Sequence, residues 1–244
     1  MKRLVLALQL MTRLPLPSIE ADEVDFAGAI GWFPAAGMVV GLAVAGMACL
    51  GLRIDPWVGA LSGLVAWVAV TGALHLDGLG DIADGAGAAH GYRDGDSDQD
   101  RARLLTVLAD PHIGSFGVVA IVLQLLAKLV LLRFWLEVFP PWMMVPLAMT
   151  ARIGPLVWTR CLPSLHEGLA DRFRAGWRAG PLILWAALGL LCGIRAPGLL
   201  AWIVMIPLWG WWLRRRIGGI SGDGHGAGIE LLESGSLLIM LVSR

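Results

Sequence analysis

Long apolar runs decide what this chain can fold into. They cover roughly 29–51, 57–76, 114–133, 142–160, 181–195, 197–213 and 227–243. A helix needs about 20 mostly apolar residues to cross the hydrocarbon of a bilayer, where its backbone polar groups must pair within the helix itself. The runs at 181–195 and 197–213 are short and meet at Arg195-Ala-Pro197, which suggests a tight hairpin. Composition agrees with a membrane chain. Hydrophobic residues make up 57% and charged residues only 16%, with mean hydropathy +0.71, whereas soluble domains carry about 25% charged residues. Twelve Trp beside one Tyr suit interfacial aromatic belts. The expected fold is all-α: a polytopic membrane helical bundle of about seven spans plus an N-terminal interfacial helix. No separate soluble domain or internal repeat stands out, so 1–244 is read as a single membrane-embedded domain.

The N-terminus, Met1 to Met11, has the basic start and apolar core of a signal peptide. The core is short, no small-residue cleavage site follows, and Arg13, Pro15 and Pro17 come next. It reads as a retained interfacial helix or short first segment. Net charge is zero, so no bulk attraction to nucleic acid is implied. Cys49, Cys161 and Cys192 show no metal or disulfide spacing and read as small hydrophobes.

The distribution of charge says more than its sum. With the N-terminus cytoplasmic and the spans alternating, thirteen basic residues fall on one side: Lys2, Arg3, Arg13, Arg93, Arg101, Arg103, Arg160, Arg172, Arg174, Arg178, Arg214, Arg215 and Arg216. Arg53, Arg133, Arg195 and Arg244 fall on the other, and Lys128 and Arg152 lie inside spans. The positive-inside rule puts the first set in the cytoplasm. The segments 77–113, 161–180 and 214–226 then share that side, and Glu167 with them.

The segment His75-Leu-Asp77-Gly-Leu-Gly-Asp81-Ile-Ala-Asp84-Gly85 follows directly on the second run. Its three aspartates are spaced by four and three, which places them within roughly 60° on one helix face. Like charges that close raise one another's pKa unless a cation neutralises them. Mg²⁺ suits such oxygens, with substrate phosphates completing its shell. The alternative is a solvated acidic helix end. Glycine costs about 1 kcal/mol in a helix interior. Gly78, Gly80 and Gly85 therefore imply either a loop or a close backbone approach, by a phosphate or metal. His75 fits a base, a group orienting a ligand, or a packing histidine.

Other groups are less specific. Asp110 is a further ligand or a helix cap. Asp94, Asp96, Asp98 and Asp100 resemble a calcium loop but lack its terminal Glu, which favours a solvated linker. The glycine-rich stretch from Gly218 to Gly226 precedes the last run. Its backbone N–H groups suit phosphate, with Asp223 as a candidate ligand and Arg214 as a contact for anionic substrate. Glu230 and Glu233 share a face of the last span. They line the site mouth or pair with Lys128 or Arg152.

The acidic segment resembles the HLDGLAD-x-x-DG signature of the cobalamin synthase family, the adenosylcobinamide-GDP ribazoletransferases. Thr12-Arg13-Leu14-Pro15, Phe33-Pro34 with Gly37 and Gly41, Asp110 to Gly114, Gly218-Gly219 through Gly222-Asp223, and Glu230 with Glu233 match the family's further blocks in order. Gly80 departs from the usual Ala, and Gly224-His225 stands where the family has Thr and an apolar residue. The resemblance implies a multi-pass inner-membrane enzyme with its active site facing the cytoplasm, and Mg²⁺ as cofactor. It implies His75, Asp77, Asp81 and Asp84 as catalytic residues. Asp77, Asp81, Asp84 and Asp223 would bind metal, and Arg13, Gly85, Gly222 and Arg214 would bind substrate. The expected partners are adenosylcobinamide-GDP, α-ribazole or its 5′-phosphate, and the lipid bilayer. A homo-oligomer is compatible with the sequence.

The reaction implied is attack of a ribose hydroxyl of the acceptor on the cobinamide-side phosphorus, with GMP leaving. One unligated carboxylate, or His75, would take the hydroxyl proton. Two rival classes remain open. CDP-alcohol phosphotransferases also use spaced aspartates, but Asp81-Ile82 stands where their signature has Ala-Arg. Transporters place sites near the midplane, which only Glu230 and Glu233 suit.

Overall fold

The structure, a computed structural model, describes residues 1–89, 106–108, 110, 112–165 and 168–244. Glu167, the 94–100 acidic run, and Arg93, Arg101 and Arg103 lie outside the described residues. The N-terminal part comprises α1 (Lys2–Met11), α2 (Glu23–Gly28), α3 (Phe33–Gly51), α4 (Pro56–Thr71) and α5 (Leu74–Ala89). The C-terminal part comprises α6 (Ser115–Val138), α7 (Met144–Ala151), α8 (Gly154–Cys161), α9 (Leu169–Gly176), α10 (Ala179–Arg195), α11 (Ala201–Arg216) and α12 (Gly222–Val242). Among the described residues the chain is an all-α membrane bundle, with short 3₁₀ turns and one isolated bridge between Ser164 and Ile220.

Three helical stretches are long and apolar enough to cross a membrane alone: Glu23–Gly51, Ser115–Val138 and Gly222–Val242. Two bent pairs, Pro56–Thr71 with Leu74–Gly87 and Ala170–Gly176 with Ala179–Arg195, raise the number to five if each counts as one span. That is fewer than the seven or so expected from apolar runs, and the causes are local. The 142–160 run breaks at Arg152 and Ile153 into α7 and α8, eight residues each. α11 has 16 residues and an internal Pro207; at about 1.5 Å per residue it falls short of a hydrocarbon core about 30 Å thick. Its three terminal arginines suit the negative end of the helix dipole.

The turn that sets up α5 is written locally. Asp55 caps α4 by accepting from Trp57 N–H at 2.7 Å, and Pro56 takes the first helical position, where no N–H is needed. At the other end Gly72 adopts φ 60°, the left-handed C-cap that glycine enters at no steric cost. The chain then turns 83° into α5. We read α5 as lying at the membrane rim rather than continuing the span, because Asp77 on it is exposed.

Charged groups knit the centre of the bundle. Lys128 Nζ of α6 sits 2.7 Å from both Glu230 Oε2 and Glu233 Oε2 of α12. Arg152, at the break between α7 and α8, donates to Glu233 Oε1 at 2.8 Å and to the Ala148 carbonyl at 2.9 Å. Gln124 donates to Glu230 Oε2 at 2.9 Å and to Ser234 Oγ at 2.6 Å. All four charged side chains are buried, and their charges balance. Of the two readings of Glu230 and Glu233, the structure favours pairing with Lys128 and Arg152. Removing one partner of a buried pair costs about 3–5 kcal/mol, because the other charge is left uncompensated. Glu233→Gln should therefore lower thermal stability in detergent by about that amount. Glu137→Gln, which breaks the outer pair with Arg133, should cost under about 1 kcal/mol. Equal melting temperatures for the two variants would remove the quartet from the fold's supports.

Candidate functional site

The acidic segment is helical. Asp77, Asp81 and Asp84 all lie on α5, so their spacing of four and three does put them on one face. Asp77 is exposed, while Asp81 and Asp84 are half-buried. The glycine-rich stretch changes character part-way. Ser221 accepts from Gly224 N–H at 3.1 Å and caps α12, so the helix begins at Gly222 rather than near 227. Asp223 thus sits in the first turn, where the helix dipole favours a negative charge.

The two acidic ends meet because glycines let α5 and α12 touch. A Cβ on Gly78 would lie 2.9 Å from both Cα and O of Asp223, and one on Gly226 would lie 3.2 Å from Cα of His75. The glycine in the acidic segment therefore has a packing reason: the close neighbour of Gly78 is a helix backbone.

Beneath this crossing lies a cavity of about 140 Å³. Its mouth carries Leu74, Asp77, Gly222 and Asp223, and the buried side chains packed around it include Met11, Phe33, His75, Phe173, His225 and Ile229. His75 is only 2% exposed, and neither ring nitrogen has a hydrogen-bond partner. His225 Nε2 lies 3.2 Å from Thr159 Oγ1, and its ring stacks on Trp158 at 6.0 Å between centroids. The sequence reading did not select His225, Phe33 or Phe173 as site residues. The available signal for His225 was its unusual position inside the glycine-rich stretch.

The carboxylates divide by what surrounds them. Asp81 is pushed up from the ordinary carboxylate value to about 6, first by its partial burial and then by the negative charges of Asp223, Asp77 and Asp84. Asp84 has both oxygens engaged: Oδ2 accepts from Gly114 N–H at 2.7 Å and Oδ1 from Gly117 N–H at 2.9 Å, capping α6 from outside. Its place on the acidic face thus comes with a structural task. Asp110, the other cap candidate, accepts from its own neighbour His112 at 3.0 Å through the backbone and 2.7 Å through the ring, which holds its carboxyl below the usual range.

The remaining expected site residues are scattered. Arg13 lies against the Gly72 turn, its backbone N–H donating to Val70 O at 2.7 Å. Gly85 is buried on α5, and Arg214 is exposed at the end of α11; neither lines the cavity. Among the described residues no three His, Cys, Asp or Glu side chains converge tightly enough to cage a metal ion. A cation here would take a few carboxylate oxygens from Asp77, Asp81 and Asp223 and fill its shell from phosphate and water, which is how Mg²⁺ is commonly held.

The sequence profile of a family described as Cobalamin-5-phosphate synthase matches residues 3–241. The chain belongs to the cobalamin-5-phosphate synthase family. Relatives bear the name adenosylcobinamide-GDP ribazoletransferase. The one from Novosphingobium aromaticivorans is 53% identical over 251 residues, covering 100% of this chain and 97% of its own. Those from Thiobacillus denitrificans and Laribacter hongkongensis are 49% and 47% identical, again over 100% of this chain and 96% and 98% of their own. No solved structure matches. Within this family member, the division between a capping and an exposed aspartate is testable by stability alone. Asp84→Ala should cost about 1–2 kcal/mol, the scale of a lost helix cap, whereas Asp77→Asn should leave the melting temperature unchanged. A stable Asp84→Ala protein would show that the cap contributes nothing.

Proposed function

We propose that this chain is an adenosylcobinamide-GDP ribazoletransferase working at the cytoplasmic face of the inner membrane, with Mg²⁺ as cofactor. The observation that carries this reading is the crossing of α5 and α12 that puts Asp77 and Asp223 on the lining of one cavity, with Asp81 close enough to feel the charge of both, in a chain of this family. A ribose hydroxyl of α-ribazole, or of its 5′-phosphate, forms a new P–O bond at the cobinamide-side phosphorus. The bond from that phosphorus to the bridging oxygen breaks, and GMP leaves with the oxygen. Displacement at a pyrophosphate needs charge neutralisation and positioning more than covalent chemistry. When bound, Mg²⁺ would offset the negative charge of the phosphates. Asp77, Asp81 and Asp223 would hold it. A carboxylate not engaged by the ion, or His75, would receive the hydroxyl proton. Gly222 leaves room at the cavity mouth, a Cβ there meeting nothing within 4 Å. Arg13 and Arg214 would meet the anionic substrate from outside.

Purified protein given adenosylcobinamide-GDP, α-ribazole and Mg²⁺ should release GMP and form adenosylcobalamin, and chelation should stop it. Asp77→Asn, Asp81→Asn and Asp223→Asn should each cut turnover at least a hundredfold, matching a few kcal/mol of transition-state stabilisation. Near-normal activity in the Asp81 variant would remove it from this scheme. The pH dependence has a definite sign. A carboxyl whose folded value is raised stabilises the fold while protonated, and that contribution is lost as pH rises through about 6. Mg²⁺ should therefore raise the melting temperature more at pH 7.5 than at pH 5, with the difference abolished in Asp81→Asn. Equal Mg²⁺ stabilisation at both pH values would show that Asp81 does not face the ion.

Sidedness has its own measurement. A cysteine at exposed Arg215, or at Ser97, should resist an impermeant thiol reagent applied to intact cells and react after lysis. Ready labelling from outside would invert the arrangement.

A further inference from the structure

A second cavity lies away from the acidic site, a groove between α6, α11 and α12 with a volume of about 570 Å³. It is open: along it Leu208 is 58%, Trp211 54% and Leu238 50% exposed. Its lining is aliphatic and indole apart from Ser234. That hydroxyl is already engaged, accepting from Gln124 at 2.6 Å and donating to the Glu230 carbonyl at 3.2 Å. Trp209 donates its ring N–H to the Gly224 carbonyl at 2.9 Å. Neither group waits for a ligand, so the groove suits a hydrocarbon occupant.

The end of the groove has the opposite chemistry. α11 runs from these apolar residues directly into Arg214-Arg215-Arg216, all three exposed. Residues four apart share a helix face, so Arg215 follows Trp211 and Arg216 follows Trp212, both of which line the groove. The Arg215 guanidinium lies 5.1 Å from the Trp211 ring centre, which holds it at the groove's end. Arg214 follows the buried Gly210 instead. Among the described residues none of the three arginines forms an ion pair with a carboxylate. α11 is also short for a bilayer: its 16 residues reach about 24 Å against a hydrocarbon core of about 30 Å. A short helix draws its flanking charges toward the hydrocarbon edge, where an anion beside them interacts more strongly than in water.

We propose that the groove holds an acyl chain of an anionic phospholipid whose phosphate rests against Arg215 and Arg216. This stands apart from the acidic site and from the reaction. The arginines lie on the side that the positive-inside rule assigns to the cytoplasm, and anionic lipids of that leaflet are drawn to basic clusters beside a membrane helix. A second copy of this chain is the competing occupant. Helices associate closely in a bilayer through small residues that let their backbones approach. Trp209, Trp211 and Trp212 would hold a neighbouring helix off, whereas a flexible acyl chain fits between them.

The test uses the whole chain in dodecyl maltoside, titrated with dioleoylphosphatidylglycerol or dioleoylphosphatidylcholine, which share their acyl chains. Native mass spectrometry counts bound lipid and reports the oligomeric state. The wild type should bind one phosphatidylglycerol about tenfold more tightly than phosphatidylcholine, the scale expected of arginines beside an anionic headgroup. The double variant Arg215→Gln/Arg216→Gln should bind the two lipids equally. Arg53→Gln/Arg195→Gln, with the same loss of charge at exposed sites on the other side, should keep the wild-type preference. Ala127→Trp fills the groove from an exposed position on α6 and should weaken both lipids about tenfold, with an unchanged melting temperature before lipid is added. Leu238→Trp, on α12, makes the same test should Ala127→Trp not fold. The proposal is overturned if the wild type binds both lipids equally, or if Arg215→Gln/Arg216→Gln keeps the preference. It is equally overturned if Arg53→Gln/Arg195→Gln loses the preference, or if folded groove-filling variants bind phosphatidylglycerol as before. A wild-type dimer that either groove-filling variant converts to monomer would give the groove to a second copy instead.

Discussion

Four charges buried in an apolar bundle impose the tightest constraint on this structure. Lys128, Arg152, Glu230 and Glu233 cannot be left unpaired in a medium that does not hydrate them, so α6, α12 and the break between α7 and α8 must meet where the pairs form. This fixes α12 along its own axis. Glu230 and Glu233 lie seven and ten residues beyond Asp223, about 10 and 15 Å at 1.5 Å per residue. One helix therefore carries an anchored middle and an acidic end, and the anchor decides where the end stands. His75 sits between them, close enough to feel Arg152, Glu233 and Lys128 as well as lining the cavity.

The two sets of carboxylates on α5 and α12 contrast in how their charge is balanced. Glu230 and Glu233 have fixed cations at hydrogen-bonding distance, which suits scaffolding. Asp81 has no such cation: its partial burial first, and the negative charges of Asp223, Asp77 and Asp84 second, raise its value. Uncompensated carboxylates of this kind repel one another unless a cation neutralises them, which is the basis of the metal proposal. Asp84 belongs to neither set. Its oxygens hold the N-terminus of α6, so it shares the acidic face while fixing the neighbouring helix.

Much of this was legible in the sequence, and the exceptions have physical reasons. The helix face of Asp77, Asp81 and Asp84 follows from spacing alone, because 3.6 residues per turn fixes it. The all-α membrane class follows from run lengths. Span number did not follow so directly, because hydropathy counts apolar residues and ignores the breaks at Arg152 and Pro207. Gly78 looked like a phosphate or loop glycine, yet its neighbour is the Asp223 backbone, a contact some 140 residues away in sequence. The capping role of Asp84 is likewise a long-range hydrogen bond that no local pattern encodes. The 218–226 stretch reads as a loop by composition, but the Ser221 cap starts the helix five residues earlier than hydropathy does.

The rim position gives the site two environments. Behind the cavity pack the buried residues of a membrane bundle, where apolar surface is kept from water. The mouth opens at an exposed aspartate, where phosphates and a hydrated cation keep most of their water until they bind. A soluble fold would have to build the apolar half as a separate pocket. Here the bundle supplies it, and the α5–α12 crossing places the acidic half directly above.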